Sequence, residues 1–170
     1  MTKNILKMAA IGLIVVTVVI GVIFVANRGA QIRLEGSIQK VRTQRMDDRS
    51  CVVLVDFRFV NPARYPFVVR NATIHLETAE GVTLTGSTVA ATDLRNVFKY
   101  YSKVNPDLGE MYNDVLLAKD RIGAGEALDR MLGARFGIPE ADARSRRSLT
   151  LRIEDVDGAV TEIREEPKSE

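Results

Sequence analysis

The sequence predicts a mainly β protein: an antiparallel β-sandwich of about seven short strands with a helical insertion, carried behind one transmembrane α-helix. Three observations lead there. Residues 8–26 are apolar, without a charge between Lys7 and Arg28. Beyond them, short segments alternate apolar and polar side chains and are separated by Gly, Pro, Asn or Asp, the pattern of half-buried strands. Over residues 91–119 the apolar period lengthens to that of an amphipathic helix.

The run Met8–Ala26 reaches about 30 Å as a helix at ~1.5 Å per residue, the thickness of a bilayer's hydrocarbon core. It is longer than the ~7–15 apolar residues of a cleavable signal, and Phe24 and Arg28 stand where a small residue would have to precede cleavage after Ala26 or Ala30. The expectation is an uncleaved, single-pass signal anchor. Residues 1–7 are then a cytoplasmic tail and residues 27–164 one extracytoplasmic domain, periplasmic if the membrane is a bacterial inner membrane. Flanking charge counts against that orientation, since Arg28, Arg33, Lys40, Arg42 and Arg45 outnumber Lys3 and Lys7. Long domains are nevertheless translocated largely regardless of charge, and a short basic tail is how signal anchors begin. The first expected partner is thus the lipid bilayer, through residues 8–26. Thr17 and Gly21 form one small-xxx-small pair, too little to assign an oligomeric state.

Lys and Arg number 24 and Asp and Glu 22; Lys3 and Lys7 account for the excess, so the chain after the apolar run is neutral. A nucleic-acid partner, which needs a strongly basic face, is not expected. The basic clusters Lys40, Arg42, Arg45, Arg49 and Arg144, Arg146, Arg147 read as solvated faces with Asp47, Asp48 and Asp142 nearby. A single cysteine, Cys51, excludes an internal disulfide and, at the start of a strand, reads as a packed core thiol.

In chain order, Ile32, Leu34 and Ile38 alternate with polar residues as a first strand. The phase changes at Val41, so Gly36 or a later bulge interrupts it. Residues 46–50 form a turn. In Cys51–Val60, Cys51, Val53, Val55, Phe57 and Phe59 take one face while Asp56 and Arg58 take the other, which makes this the leading core strand. Asn61-Pro62 and Pro66 close it, because proline cannot donate to a ladder and pushes its predecessor out of helical geometry. A strand over 67–77 follows; Phe67 and Val69 are out of phase with Ala72, Ile74 and Leu76, so a bulge falls near Arg70-Asn71. A turn at Glu80-Gly81 leads to a short strand over 82–89.

An alternating apolar strand running into Asn61-Pro62, a second proline at Pro66, and the strand of Val68, Ala72, Ile74 and Leu76 resemble the water-stress and hypersensitive-response type of the late-embryogenesis-abundant proteins. The resemblance spans residues 35–165. It implies an immunoglobulin-like sandwich, commonly membrane-tethered and without enzymatic activity. The helical insertion departs from that family's pattern.

In the insertion, Leu94, Val97, Phe98 and Tyr101 recur at helical spacing, with Thr92 or Asp93 placed to cap the first turn. After Pro106, Leu108, Met111, Tyr112, Val115 and Leu116 repeat the spacing and predict a second helix, whose end at 115–117 reads equally as a strand. Leu94, Val97, Phe98, Tyr101, Leu108, Met111 and Tyr112 are the candidate partner or ligand surface. They are either the underside of a lid completing the core or a platform for an envelope protein or a lipid.

Residues 121–126 are a glycine-punctuated turn without the Gly-Lys-Ser/Thr of a phosphate loop. Leu128, Leu132, Ala134, Phe136 and Ile138 mark a long strand, residues 139–147 a short polar helix or turn, and Leu149, Leu151 and Ile153 a further strand. Asp157-Gly158 supplies the hairpin turn to a last strand over 159–163, and residues 165–170 read as a disordered tail. Asp155-Val156-Asp157-Gly158 lacks the further ligands of a calcium loop. His75, the one histidine, alternates outward. Asn71-Ala72-Thr73 matches a glycosylation acceptor, relevant only in a eukaryotic secretory protein. No metal, cofactor or catalytic residue is expected. The function read from the sequence is a non-enzymatic interaction or structural module of the cell envelope, with an apolar-ligand module as the rival.

Overall fold

A computed structural model describes residues 12–22 and 33–165. The chain divides into two compact units, residues 1–31 and 32–170. In the first, residues 12–22 are helical. No helix among the described residues is long and apolar enough to cross a membrane, and the two ends of the expected span, residues 8–11 and 23–26, lie outside the described residues.

The second unit is a β-sandwich of two antiparallel sheets. The first sheet orders β1 (Glu35–Asp47), β2 (Ser50–Val60), β7 (Ala127–Phe136) and β5 (Ser87–Thr88) as β1-β2-β7-β5. The second orders β4 (Thr83–Thr85), β3 (Phe67–Glu77), β8 (Ser148–Asp155) and β9 (Val160–Arg164) as β4-β3-β8-β9, with β6 (Arg121–Ile122) also pairing β3. The helices of this unit are α1 (Ala91–Tyr101) and α2 (Glu140–Arg144).

Alternation places Cys51, Val53, Val55, Phe57 and Phe59 of β2 inward, where they meet Phe67, Ile74 and Leu76 of β3 and Leu149, Leu151 and Ile153 of β8. The Phe57 and Phe59 rings stack with centroids 5.6 Å apart. Both expected bulges are present, between Ile38 and Lys40 in β1 and between Val69 and Asn71 in β3. The second lets Phe67 and Val69 share the core with Ala72, Ile74 and Leu76 despite their opposite phase. Asp155 organises the connections at one end: its Oδ1 accepts from the Val68 and Val156 amides at 2.9 and 2.8 Å, which leaves this carboxylate a turn-forming role.

Four expectations are corrected. Nine strands, not about seven, occur among the described residues. The single strand expected over 82–89 is two strands in different sheets, because at Gly86 the chain crosses the sandwich so closely that a Cβ would lie 2.6 Å from the Phe136 ring and 2.7 Å from Ala134 Cβ. Neither Thr92 nor Asp93 caps α1; Ala90 does so in extended geometry, its carbonyl accepting from the Asp93 and Leu94 amides at 3.0 Å. The second helix of the insertion does not form. Gly109 has a φ of +61°, and the carbonyls of Leu108 and Glu110, which would accept helical amides, are taken by Arg42.

Candidate functional site

The insertion lies on the outer face of the first sheet. Leu94, Val97, Phe98 and Leu108 are buried there against Val52 and Leu54 of β2 and Met131 of β7, forming an apolar core separate from that of the sandwich; Tyr101 and Met111 pack half-buried at its margin. Of the seven candidate surface residues, only Tyr112 stands free, at 73 % exposure. Six of the seven therefore form the underside of the insertion rather than an open platform.

Close approach makes this packing possible. Val89 donates its amide to the Gly133 carbonyl at 2.9 Å, and a Cβ on Gly133 would lie 2.4 Å from Leu94 Cδ2, so any side chain there would have to displace Leu94. On the other side, Met131 donates to the Asp114 carbonyl at 2.8 Å and Leu116 to the Met131 carbonyl at 2.9 Å. Val115 thereby makes a single parallel bridge to Met131, the remnant of the strand read at 115–117.

At the centre of this second core stands Arg42, which the sequence places among solvated charges and the structure leaves 3 % exposed. Its Nη2 donates to Asp56 Oδ2 at 2.6 Å and its Nη1 to the carbonyls of Leu108 and Glu110, each at 2.7 Å. The guanidinium carbon lies 4.8 Å from the centroid of the Phe98 ring. Asp56 Oδ1 accepts from Asn113 Nδ2 at 3.0 Å, while Arg42 Nε finds no partner among the described residues. Asn105 adds a peripheral tie, donating to Gln44 Oε1 at 3.0 Å. Arg42 and Asp56 thus latch the irregular half of the insertion to the sheet. A buried charge requires such pairing, because unpaired it would cost several kcal/mol.

Two concave surfaces flank the insertion. The larger, about 770 Å³, runs beside the edge strand β1 from Ile38 to Thr43 and is walled by Asp107, Arg144, Arg146 and Glu165. Its cations are mostly engaged: Arg144 binds Glu140 at 2.9 Å and Asp107 at 3.4 Å, and Arg146 Nε donates to Glu165 at 2.8 Å. The Glu140 hydrogen bond raises the Arg144 pKa further. Arg146 and Glu165 are therefore not the solvated charge and disordered tail residue of the sequence reading; residues 166–170 lie outside the described residues. The smaller recess, about 250 Å³, opens between the insertion and the sandwich and is lined by Ala72, Val89, Val115, Leu116 and Leu132.

The remaining candidates resolve into structural roles. Cys51 is fully buried, and burial, with Glu140 and Asp142 nearby, pushes its thiol up to about 11, so it stays protonated and unreactive at ordinary pH. His75 bridges Thr85 Oγ1 at 2.9 Å and Thr73 Oγ1 at 3.2 Å. Asn61, buried, donates Nδ2 to the carbonyls of Tyr65 at 2.8 Å and Ile122 at 3.1 Å and accepts from the Ala63 amide at 3.0 Å, fastening the loop after β2 to β6. No cluster of three or more metal-ligating side chains occurs among the described residues. The sequence signals for Arg42 and Asp56 were their positions on opposed strands; nothing local marked them as partners.

No family model matches the chain, and no curated protein matches it. Among solved structures, an uncharacterized β-sandwich protein from Clostridium difficile 630 is similar over 79 % of this chain and 86 % of its own, at 10 % identity and a TM-score of 0.41.

Proposed function

We propose that the chain is a membrane-tethered, non-enzymatic interaction or structural module of the cell envelope, anchored through Met8–Ala26 with its sandwich on the extracytoplasmic side. The observation that carries this reading is the uncharged run between Lys7 and Arg28, long enough as a helix for a bilayer core. The immunoglobulin-like assignment belongs to the same proposal. It is supported by the strand orders β1-β2-β7-β5 and β4-β3-β8-β9, which follow the A-B-E-D and C′-C-F-G orders of that fold, with the insertion between the positions of D and E. The proposed kinship with the water-stress and hypersensitive-response proteins is supported by Asn61-Pro62, where a buried asparagine ends β2 and turns the chain toward the other sheet.

The rival reading, an apolar-ligand module, is favoured by the recess between insertion and sandwich. Its volume of about 250 Å³ falls below the ~300–1,000 Å³ usual for ligand pockets, too small for a whole lipid. The larger groove has the volume but a charged lining, which suits a polar partner. The tethered reading therefore leads. It predicts that the full-length chain stays in the membrane pellet after alkaline washing, and that protease added from outside removes the domain. Recovery of a soluble form beginning near Asn27 would overturn it.

A further inference from the structure

Helix α1 turns Leu94, Val97 and Phe98 to the sheet and an opposite stripe to solvent. Arg95 and Lys99 lie on that stripe and Lys103, in the turn that follows the helix, continues the four-residue spacing; all three are exposed. Tyr100, 63 % exposed, and Val104, 79 % exposed, stand beside them, and Lys99 Nζ lies 5.5 Å from the Tyr100 ring centroid. The helix's one acidic side chain, Asp93, is in the first turn, at the far end from Lys99 and Lys103.

The charges of this stripe are handled differently from those around the groove. There Arg144 and Arg146 are paired with carboxylates. None of the ion pairs among the described residues involves Arg95, Lys99 or Lys103. Nor does any of the three line the groove or the recess that flank the insertion. An exposed row of cations on flexible stems, flanked by an exposed aromatic and an exposed aliphatic side chain, presents charge to solvent instead of to a carboxylate of the fold. It suits a diffuse anionic plane with an amphipathic boundary, where basic side chains meet headgroups and aromatic rings lie at the interface.

We propose that the outward face of α1 and the turn that follows it, Arg95, Lys99, Tyr100, Lys103 and Val104, docks on anionic lipid headgroups of the bilayer that anchors the chain. This rests on the anchored reading above. Three cations hold a free domain to a membrane only weakly, but an anchor makes the contact intramolecular and raises the effective concentration of headgroups at the helix. The attraction is electrostatic and fades beyond about one Debye length, ~8 Å at physiological ionic strength.

The test uses the full chain in phosphatidylcholine vesicles with or without phosphatidylglycerol. Because Cys51 is buried, a single environment-sensitive dye can be placed at Asn96→Cys on the stripe, or at Val82→Cys on the second sheet's side as a control. Headgroup-level nitroxide lipid should quench the dye at position 96 several-fold more in vesicles containing phosphatidylglycerol than in those without. Position 82 should not respond. Raised sodium chloride, or Arg95→Glu with Lys99→Glu and Lys103→Glu, should abolish the difference; the salt arm needs no substitution and so stands apart from any folding effect. A chain that floats with the vesicles after alkaline washing but shows no anionic-lipid-dependent quenching at position 96 overturns this inference alone. A chain that fails to float overturns the anchored reading, and this inference with it.

Discussion

Strand β2 has two apolar faces that belong to two different cores. Inward, Cys51, Val53, Val55, Phe57 and Phe59 meet the second sheet in an apolar core, which Leu116 of the insertion also joins. Outward, Val52 and Leu54 meet the insertion in a smaller core with a charged latch, Arg42 and Asp56, at its centre. The first is organised by strand alternation, which fixes what each residue faces. In the second, the part of the cover that follows α1, residues 102–119, has little regular structure, and its Leu108 and Glu110 carbonyls are satisfied by Arg42 instead of by a ladder. Burying a guanidinium is what an irregular cover requires when its backbone acceptors would otherwise lose water without gaining a partner.

The largest effects should separate the two cores by chemistry. Phe57→Ala should cost roughly 3–5 kcal/mol in chemical denaturation, while Arg58→Ala, on the exposed side of the same strand, should stay within about 0.5. Equal small effects would mean that the faces of β2 are misassigned.

In the second core, Arg42→Met should cost about 3–5 kcal/mol because it strands a buried carboxylate. Arg42→Met combined with Asp56→Leu should then cost less than Arg42→Met alone, since the unpaired charge is gone and what loses a partner is neutral: the carbonyls of Leu108 and Glu110 and the side-chain amide of Asn113. Simple additivity of the two substitutions would show that Arg42 and Asp56 do not act as a latch.

Gly133→Ala should cost about 1–3 kcal/mol, as the new methyl displaces Leu94 and lifts α1 from the sheet. At the low end, Tyr112→Ala should change stability by no more than about 0.5 kcal/mol, because that ring is outside both cores. A large loss there would mean that the exposed end of the insertion packs on something in solution.

How much of this was legible in the sequence follows the same division. The faces of β2, both bulges, α1 and the β8–β9 hairpin were readable because each is written in the period or turn chemistry of a few neighbouring residues. Gly86 looked like an ordinary residue of one short strand; its crossing is required by Phe136 and Ala134, some fifty positions further on. The helical spacing of Leu108, Met111, Tyr112 and Val115 was real but was overridden by Gly109 and by a cation donated from β1. Arg42 itself sat in a basic run indistinguishable from a solvated face, since its partners Asp56, Leu108 and Glu110 are distant in the chain. Asn61-Pro62 was recognisable as a turn, whereas the reason for an asparagine there, its bond to the Ile122 carbonyl, was not.

The central claim is that the insertion is a latched, integral part of the fold and not a mobile cover, and native-state hydrogen exchange on the full-length chain tests it most directly. The amides of Leu116 and Met131, which join insertion to sheet, should exchange at the same slow rate as those of Val53 and Val55 in β2, through one global opening. Exchange at Leu116 and Met131 that is much faster, while β2 remains protected, would show that the insertion opens by itself and would contradict the account.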